Sequence, residues 1–321
     1  GWNYAYASGA GASANASIDQ IYASGWVTGD GTTVAGLVGY NYQFVESGGA
    51  ASASVGSSFW DVVTTGRGGS GVGSNNGGTV TNVVGLTGHV APYTQSTYTN
   101  NGWDFSSTGV WFMVDGATRP FLRSEWSAEI ANAHQLQLMS IRPGDAYTLA
   151  GDIDLAPALS DPAGMWRTST RADGLGQYGF APVGDDSAPF IGSLDGVGHV
   201  ISNLKIYRPN ANDVGLLGYA QNAAIRNVGL TGVDVRGGFF VGGLVGYNEA
   251  SGGNASISQS YSSGQVVGYD YVGGLVGYNY ASISGSHAAG IVSASSASAD
   301  VGGLVGVNAT TASISRSYAA V

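Results

Sequence analysis

Apolar residues in the last third of this chain come in short bursts at regular intervals, the two complete ones closed by Gly-Tyr-Asn. The octet Val-Gly-Gly-Leu-Val-Gly-Tyr-Asn is complete at 241–248 and again at 272–279. A near copy ending in Val-Asn occupies 301–308, a worn one occupies 214–219, and a fifth lies far away at 34–41. A second phrase, Ala-Ser-Ile-Ser-x-Ser-(Tyr/His), alternates with the octet at 255–261, 281–287 and 312–318, with looser forms at 16–22 and 224–230. The octet Leu recurs at 216, 244, 275 and 304, and the Ile of the second phrase at 225, 257, 283 and 314. From each Ile to the next Leu the gap is 19, 18 and 21 residues, and the N-terminal pair Ile18 and Leu37 gives 19. Two phrases locked at one spacing form a single repeating unit.

A period near 29 residues predicts a β-solenoid in which each coil carries two or three short strands. One coil cannot bury its apolar face, whereas stacked coils share a core and pair their backbones about 4.8 Å apart. Helical repeats are disfavoured, because Gly pairs and Ser-Ile-Ser alternation suit strands better than helices. The predicted repeat positions are Gly36, Leu37, Gly39 and Asn41 near the start, then Leu216 and Gly218 in the worn copy. They continue as Gly243, Leu244, Gly246 and Asn248; Gly274, Leu275, Gly277 and Asn279; and Gly303, Leu304, Gly306 and Asn308. Val and Leu are expected in the core, with a bend or bulge at Gly273–Gly274. The Asn residues are expected at left-handed corners or in a side-chain ladder, with the preceding Tyr residues stacked.

The middle of the chain breaks this rhythm. Residues 66–78 and 94–102 read as polar loops, and aromatic-rich strands are expected at 59–61, 101–105 and 110–114. Ser127–Met139 is the best helix candidate, with Ser127 as N-cap and Ile130, Ala133 and Leu136 spaced for burial. Strands are expected to resume at 147–155, 190–194 and 199–206, with Asp115-Gly116 and Asp195-Gly196 as turns. The resulting organisation is an N-terminal set of coils (1–55), a linking segment (56–213) and a C-terminal set (214–321), together one continuous solenoid.

Composition narrows the function. Gly reaches 54 of 321 residues, only 10% of residues are charged, and the hydrophobic fraction of 43% is enough for a packed core. A net charge of −10 with a single Lys argues against a nucleic-acid partner. No apolar run approaches the roughly 20 residues of a membrane helix. The absence of Cys excludes disulfides and thiolate metal sites and suits an exported chain.

The two phrases resemble the GLUG motif, named for Gly-Leu-hydrophobic-Gly. That motif is found in filamentous-haemagglutinin-like bacterial adhesins and in non-catalytic regions of IgA-protease-type metallopeptidases. The resemblance covers 214–321 and 16–41, and the middle looks like the cassette that links such arrays. Its phrases here are Phe59-Trp60-Asp61, the stretch 101–123 ending in Arg-Pro-Phe-Leu-Arg, 147–155 with Asp-Ile-Asp-Leu, and 182–204 ending in Ile-Ser-Asn-Leu. What it implies is a right-handed β-helix in a large surface or secreted protein serving adhesion, biofilm cohesion or display. The motif is structural and carries over no catalytic residue.

Candidate chemistry is sparse. A zincin needs His-Glu-x-x-His, but the four histidines are followed by Val90, Gln135, Val200 and Ala288. Asp152 with Asp154, and Asp185 with Asp186 beside Asp195, are the paired carboxylates that a polysaccharide-cleaving β-helix would need. Asp in Gly-rich turns more often accepts backbone hydrogen bonds, and Asp185 and Asp186 are the calcium candidates. Gly66, Gly68 and Gly71 match a dinucleotide fingerprint without its helix, and no Gly-x-Ser-x-Gly elbow occurs. Trp26, Trp103 and Trp111 are candidates for stacking on sugars, though core roles are commoner for such residues.

The expectation is therefore a non-enzymatic, cofactor-free solenoid module at a bacterial surface or outside the cell. Its partners would be further copies of itself, head to tail, and host or matrix glycans. Joining Val321 to Gly1-Trp2-Asn3-Tyr4 nearly reproduces the run at 276–280, which is the sequence reason for expecting a tandem array or filament. The alternatives are a polysaccharide-binding or polysaccharide-cleaving β-helix, and the stalk of a metallopeptidase.

Overall fold

The computed structural model describes residues 1–31, 33–168, 178–253 and 255–321. Strands dominate and helices are few and short, so the chain is all-β. It divides into two compact units: Gly1–Arg119 with Pro162–Gly164, and Pro120–Asp161 with Met165–Val321.

In the first unit, β1 (Trp2–Ser8), β4 (Val38–Glu46) and β6 (Val72–Asn76) form one parallel sheet. β2 (Ser13–Asp19), β3 (Tyr22–Ala23), β5 (Ala50–Asp61) and β7 (Thr79–Leu86) form a second, also parallel. β1 alternates outward aromatics with buried Asn3, Ala5 and Ala7, as a strand with one wet face must. The expected loop at 66–78 thus contains β6: Val72 is buried, and Asn75 joins a side-chain ladder that polar composition alone conceals.

The cassette phrases of this unit converge. Asp61 caps the short helix α1 (Val62–Thr65) through its backbone N–H groups and pairs with Arg119 at 2.6 Å, both side chains buried. Arg119 also donates to the Tyr22 hydroxyl at 2.8 Å. Phe59, Leu86, Tyr98, Trp103 and Met113 make an adjoining core. The stretch 101–105 is not a strand, because Trp103 turns into that core, and the 94–102 stretch contains the helix Gln95–Thr99. Three glycines from separate stretches are a packing requirement: a Cβ at Gly36, Gly71 or Gly85 would sit 2.2–2.7 Å from the Trp60 ring.

The second unit is a stack of parallel strands joined in register. Glu129–Ile130, Ala146–Leu149, Ser193–Asp195, Ala224–Arg226, Ser256–Ser258, Ser282–Ser284 and Ser313–Ser315 follow one another in a seven-stranded sheet. Leu194, Ile225, Ile257, Ile283 and Ile314 are consecutive register partners within it. A second sheet runs through Val200–Ser202, Gly229–Arg236, Tyr261–Gly268, His287–Ala294 and Tyr318–Ala320. Two further stacks come from the octets, so each full repeat holds four strands where two or three were expected. The octet itself supplies two of them, such as Phe239–Gly242 and Val245–Glu249, with a bend at Gly243–Leu244.

The predicted helix is shorter than its pattern. It spans Ala133–Leu138 and is capped by Asn132, whose side chain accepts from Gln135 N. Ile130 is fully buried as a strand residue paired with Leu149, and Ser127 Oγ accepts from Glu129 N in a turn. The register of the stack outweighs the helical periodicity of this segment. No helix in the described residues is long and apolar enough to cross a membrane.

Candidate functional site

The repeated octet is the most elaborated feature of the chain, and each of its positions has a distinct task. Leu216, Leu244 and Leu275 are fully buried, whereas Leu37 and Leu304 are half-buried. The Leu backbones hand hydrogen bonds from one repeat to the next: Leu244 N to Leu275 O, and Leu275 N to Leu304 O. The last Gly admits no side chain, since a Cβ at Gly246 would lie 2.5 Å from Val214 N and one at Gly277 2.5 Å from Val241 N. Only glycine lets the second octet strand pass this close to the neighbouring repeat.

The Asn residues lie inside extended strands and not at left-handed corners; Asn41, Asn248 and Asn279 are fully buried, and Asn308 is exposed. Asn248 Nδ2 donates to Asn279 Oδ1, and Asn279 Nδ2 to Asn308 Oδ1, each at 2.8 Å. In the first unit Asn3, Asn41 and Asn75 repeat the arrangement at the same 2.8 Å spacing. Such a ladder satisfies buried amides that would otherwise be costly. It stops at Ala220, the register partner of Asn248, and no donor among the described residues reaches Asn248 Oδ1. Outside the sheet, Tyr219, Tyr247 and Tyr278 stack at 5.0 and 5.4 Å.

The left-handed corners lie elsewhere. Two residues after each Ile of the second phrase, and after Val55 and Val80 stacked on Ile18, comes a residue with φ between 36° and 58°: Gln20, Ser57 and Asn82 in the first unit, then Asn227, Gln259, Gly285 and Arg316. The varied x of the phrase hid this geometric constant. The Ser that follows ties repeats together: Ser260, Ser286 and Ser317 each accept an N–H from the preceding repeat and donate to their own chain two residues back.

The carboxylates do not assemble a catalytic pair. Asp152 accepts from Val200 N and pairs with His199, which holds its carboxyl below the usual range. Asp154 is lowered likewise by Asn203 and by Ala156 N. Neither has the raised pKa that a general acid needs. Burial works against ionisation of Asp185, but donors from Ser187 and Ala188 outweigh it and hold the carboxyl low. The sequence offered no reason to single out Asp213. Burial, then the charges of Asp186 and Asp185, push its carboxyl up to about 7. No group of three or more His, Asp or Glu among the described residues is arranged to hold a metal ion. Of the Trp candidates, Trp103 is core, Trp111 stacks on it at 4.5 Å, and Trp26 is 71% exposed while lying against Gly66.

One known family matches the repeat. A family model described as the GLUG motif matches residues 268–293, one octet with the second phrase that follows it. Halomucin of Haloquadratum walsbyi is 30% identical over 213 residues, covering 60% of this chain and 2% of halomucin. A protein of Evansella cellulosilytica described as a Gly-rich membrane protein is 34% identical over 118 residues, covering 36% of this chain and 12% of that protein. This chain therefore spans a small part of the curated relatives it matches. Among solved structures, a Bacteroides ovatus chain described as an immunoglobulin A1 protease aligns at 20% identity with a TM-score of 0.37, covering 59% of this chain and 66% of that one.

Proposed function

We propose that this chain is a β-solenoid module of a large cell-surface or extracellular protein, serving as a stiff spacer that displays surface and performs no chemistry. The observation that carries this reading is the unbroken register of Leu194, Ile225, Ile257, Ile283 and Ile314. A chain that stacks equivalent residues gains length with each repeat at little conformational cost. The Asn, Ser and Tyr ladders beside that column brace the same direction. Adhesion, biofilm cohesion or display would follow from holding surfaces away from a cell, and further coils, from the same polypeptide or another copy, would extend the ladders.

The GLUG motif and the two relatives, one called a halomucin and one a membrane protein, support a surface location. Duplicating residues 257–282, one full repeat, tests the spacer role. The second unit should lengthen by about 4.8 Å per added coil in small-angle scattering, with an unchanged cross-section. Growth in all dimensions would overturn the reading. Antibodies against the chain should label intact source cells, and labelling only after lysis would overturn the location.

A further inference from the structure

The outward face of the first unit carries two rows of rings and then stops. Trp2, Tyr4 and Tyr6 on β1 lie against Tyr40, Tyr42 and Phe44 on β4 at centroid distances of 5.1, 5.3 and 5.8 Å. The last two pairs are parallel to within 4°. On the other side of the β4 row the neighbouring strand is β6, which sets Ser74 opposite Tyr40. Among the described residues no ring stacks there. The result is a step, with a wall of three rings spaced 5.5 and 6.0 Å apart along β4 and a floor of small polar residues on β6.

This step lies within the sheet and differs from the octet Tyr stack of the second unit, where Tyr219, Tyr247 and Tyr278 continue over three strands. Its rings are partly exposed, Phe44 by 40%. Tyr dominates over aliphatic residues, so the surface pairs flat π faces with hydroxyls and suits a ligand that is itself half apolar and half polar. Sugar rings meet that description: their C–H faces lie against aromatic rings while their hydroxyls reach a polar floor such as Ser74 and Asn76. Three rings in a row fit consecutive units of a polymer better than one monosaccharide. The chain's net charge of −10 disfavours an acidic polymer.

We propose that the Tyr40–Tyr42–Phe44 wall above Ser74 is a binding site for a neutral polysaccharide chain. It does not rest on the spacer reading, since a solenoid with or without this step would still be a solenoid. The test is affinity electrophoresis of the full chain in native gels containing mixed-linkage β-glucan, glucomannan or hydroxyethyl cellulose, with alginate as the acidic control. At least one neutral polymer should retard the wild-type chain, and alginate should not. Tyr42→Ser should weaken retardation by about tenfold or more, the loss of roughly one stacked ring. Ser74→Tyr should do the same by filling the step with a third ring while leaving the thermal midpoint unchanged or raised. Tyr269→Ser, on the second unit, should bind like wild type. No retardation of wild type in any gel, equal retardation by alginate, or full binding by a folded Ser74→Tyr would overturn the proposal. If Ser74→Tyr fails to fold, full binding by folded Tyr42→Ser overturns it alone.

Discussion

Replacing Asn279 by Ala should be among the most damaging polar truncations in the second unit. The Asn279 side chain is fully buried and makes four hydrogen bonds. It accepts from Asn248 Nδ2 at 2.8 Å and Ala281 N at 3.3 Å, and donates to Asn308 Oδ1 at 2.8 Å and Ala281 O at 2.9 Å. A net hydrogen bond contributes about 1 kcal/mol, and an orphaned buried partner costs about 1–3 kcal/mol. The Asn248 amide is the partner left most deeply buried. The expected destabilisation is about 3–5 kcal/mol. Asn308→Ala is the internal control, because Asn308 is exposed and its own donated bond to Ala312 O is long, at 3.4 Å. That variant should lose only about 1 kcal/mol. Urea unfolding followed by far-UV circular dichroism reads both, and hydrogen exchange at the Ala281 amide reports whether the loss is local. Equal midpoints for the two variants, or an Asn279→Ala shift below about 1 kcal/mol, would refute the ladder as a source of stability.

Four other perturbations separate the forces at work. Gly277→Ala pushes a Cβ to 2.5 Å from Val241 N and should unfold or grossly destabilise the second unit, whereas Gly151→Ala, with nothing within 4 Å, should leave the urea midpoint unchanged. Gly285→Ala should cost about 1–2 kcal/mol because the corner is left-handed, and Gly285→Asn less, since Asn227 holds the equivalent corner at φ 54°. Arg119→Met should destabilise the first unit by about 3–5 kcal/mol by stranding buried Asp61, and adding Asp61→Asn should recover part of that loss in a double-mutant cycle. Asp213 has a folded pKa of about 7 against an ordinary 3.8, so the folded state binds the extra proton between those values. Stability should therefore fall as pH rises through that window, and Asp213→Asn should flatten this part of the pH–stability profile.

The repeat was legible because it is written in residue types with few substitutes. Leu244, Leu275, Gly246 and Gly277 each occupy a place where size is dictated by a neighbouring repeat, so their spacing is visible in one sequence. Positions defined by backbone angle were hidden. Gln259, Gly285 and Arg316 share a left-handed corner that no single side chain enforces, and the chain varies freely there. The Asn ladder was anticipated only as one of two roles, because inward Asn and corner Asn look alike until strand register is known. Strand β6 is hidden in the sequence for the same reason: Ser74 and Asn75 read as loop residues until Tyr40 and Asn41 are placed beside them. The helical periodicity over 127–139 misled in the opposite direction, since Ile130 is held by pairing with Leu149. Asp213 could not be found because its neighbours Asp185 and Asp186 approach it only through the fold.

Successive repeats stack in parallel and in register, and a chain without native Cys allows this to be measured directly. Ser256 and Ser282 are register partners, as are Ser258 and Ser284. Partners at the usual strand spacing of about 4.8 Å lie within disulfide reach. A pair offset by two residues along the strand falls beyond the roughly 7 Å limit. Ser256→Cys with Ser282→Cys, and Ser258→Cys with Ser284→Cys, should cross-link within one chain under mild oxidation, while Ser258→Cys with Ser282→Cys should not. Cross-linking of the offset pair alone, or of neither aligned pair, would contradict the stacked register from which the rest of the account follows.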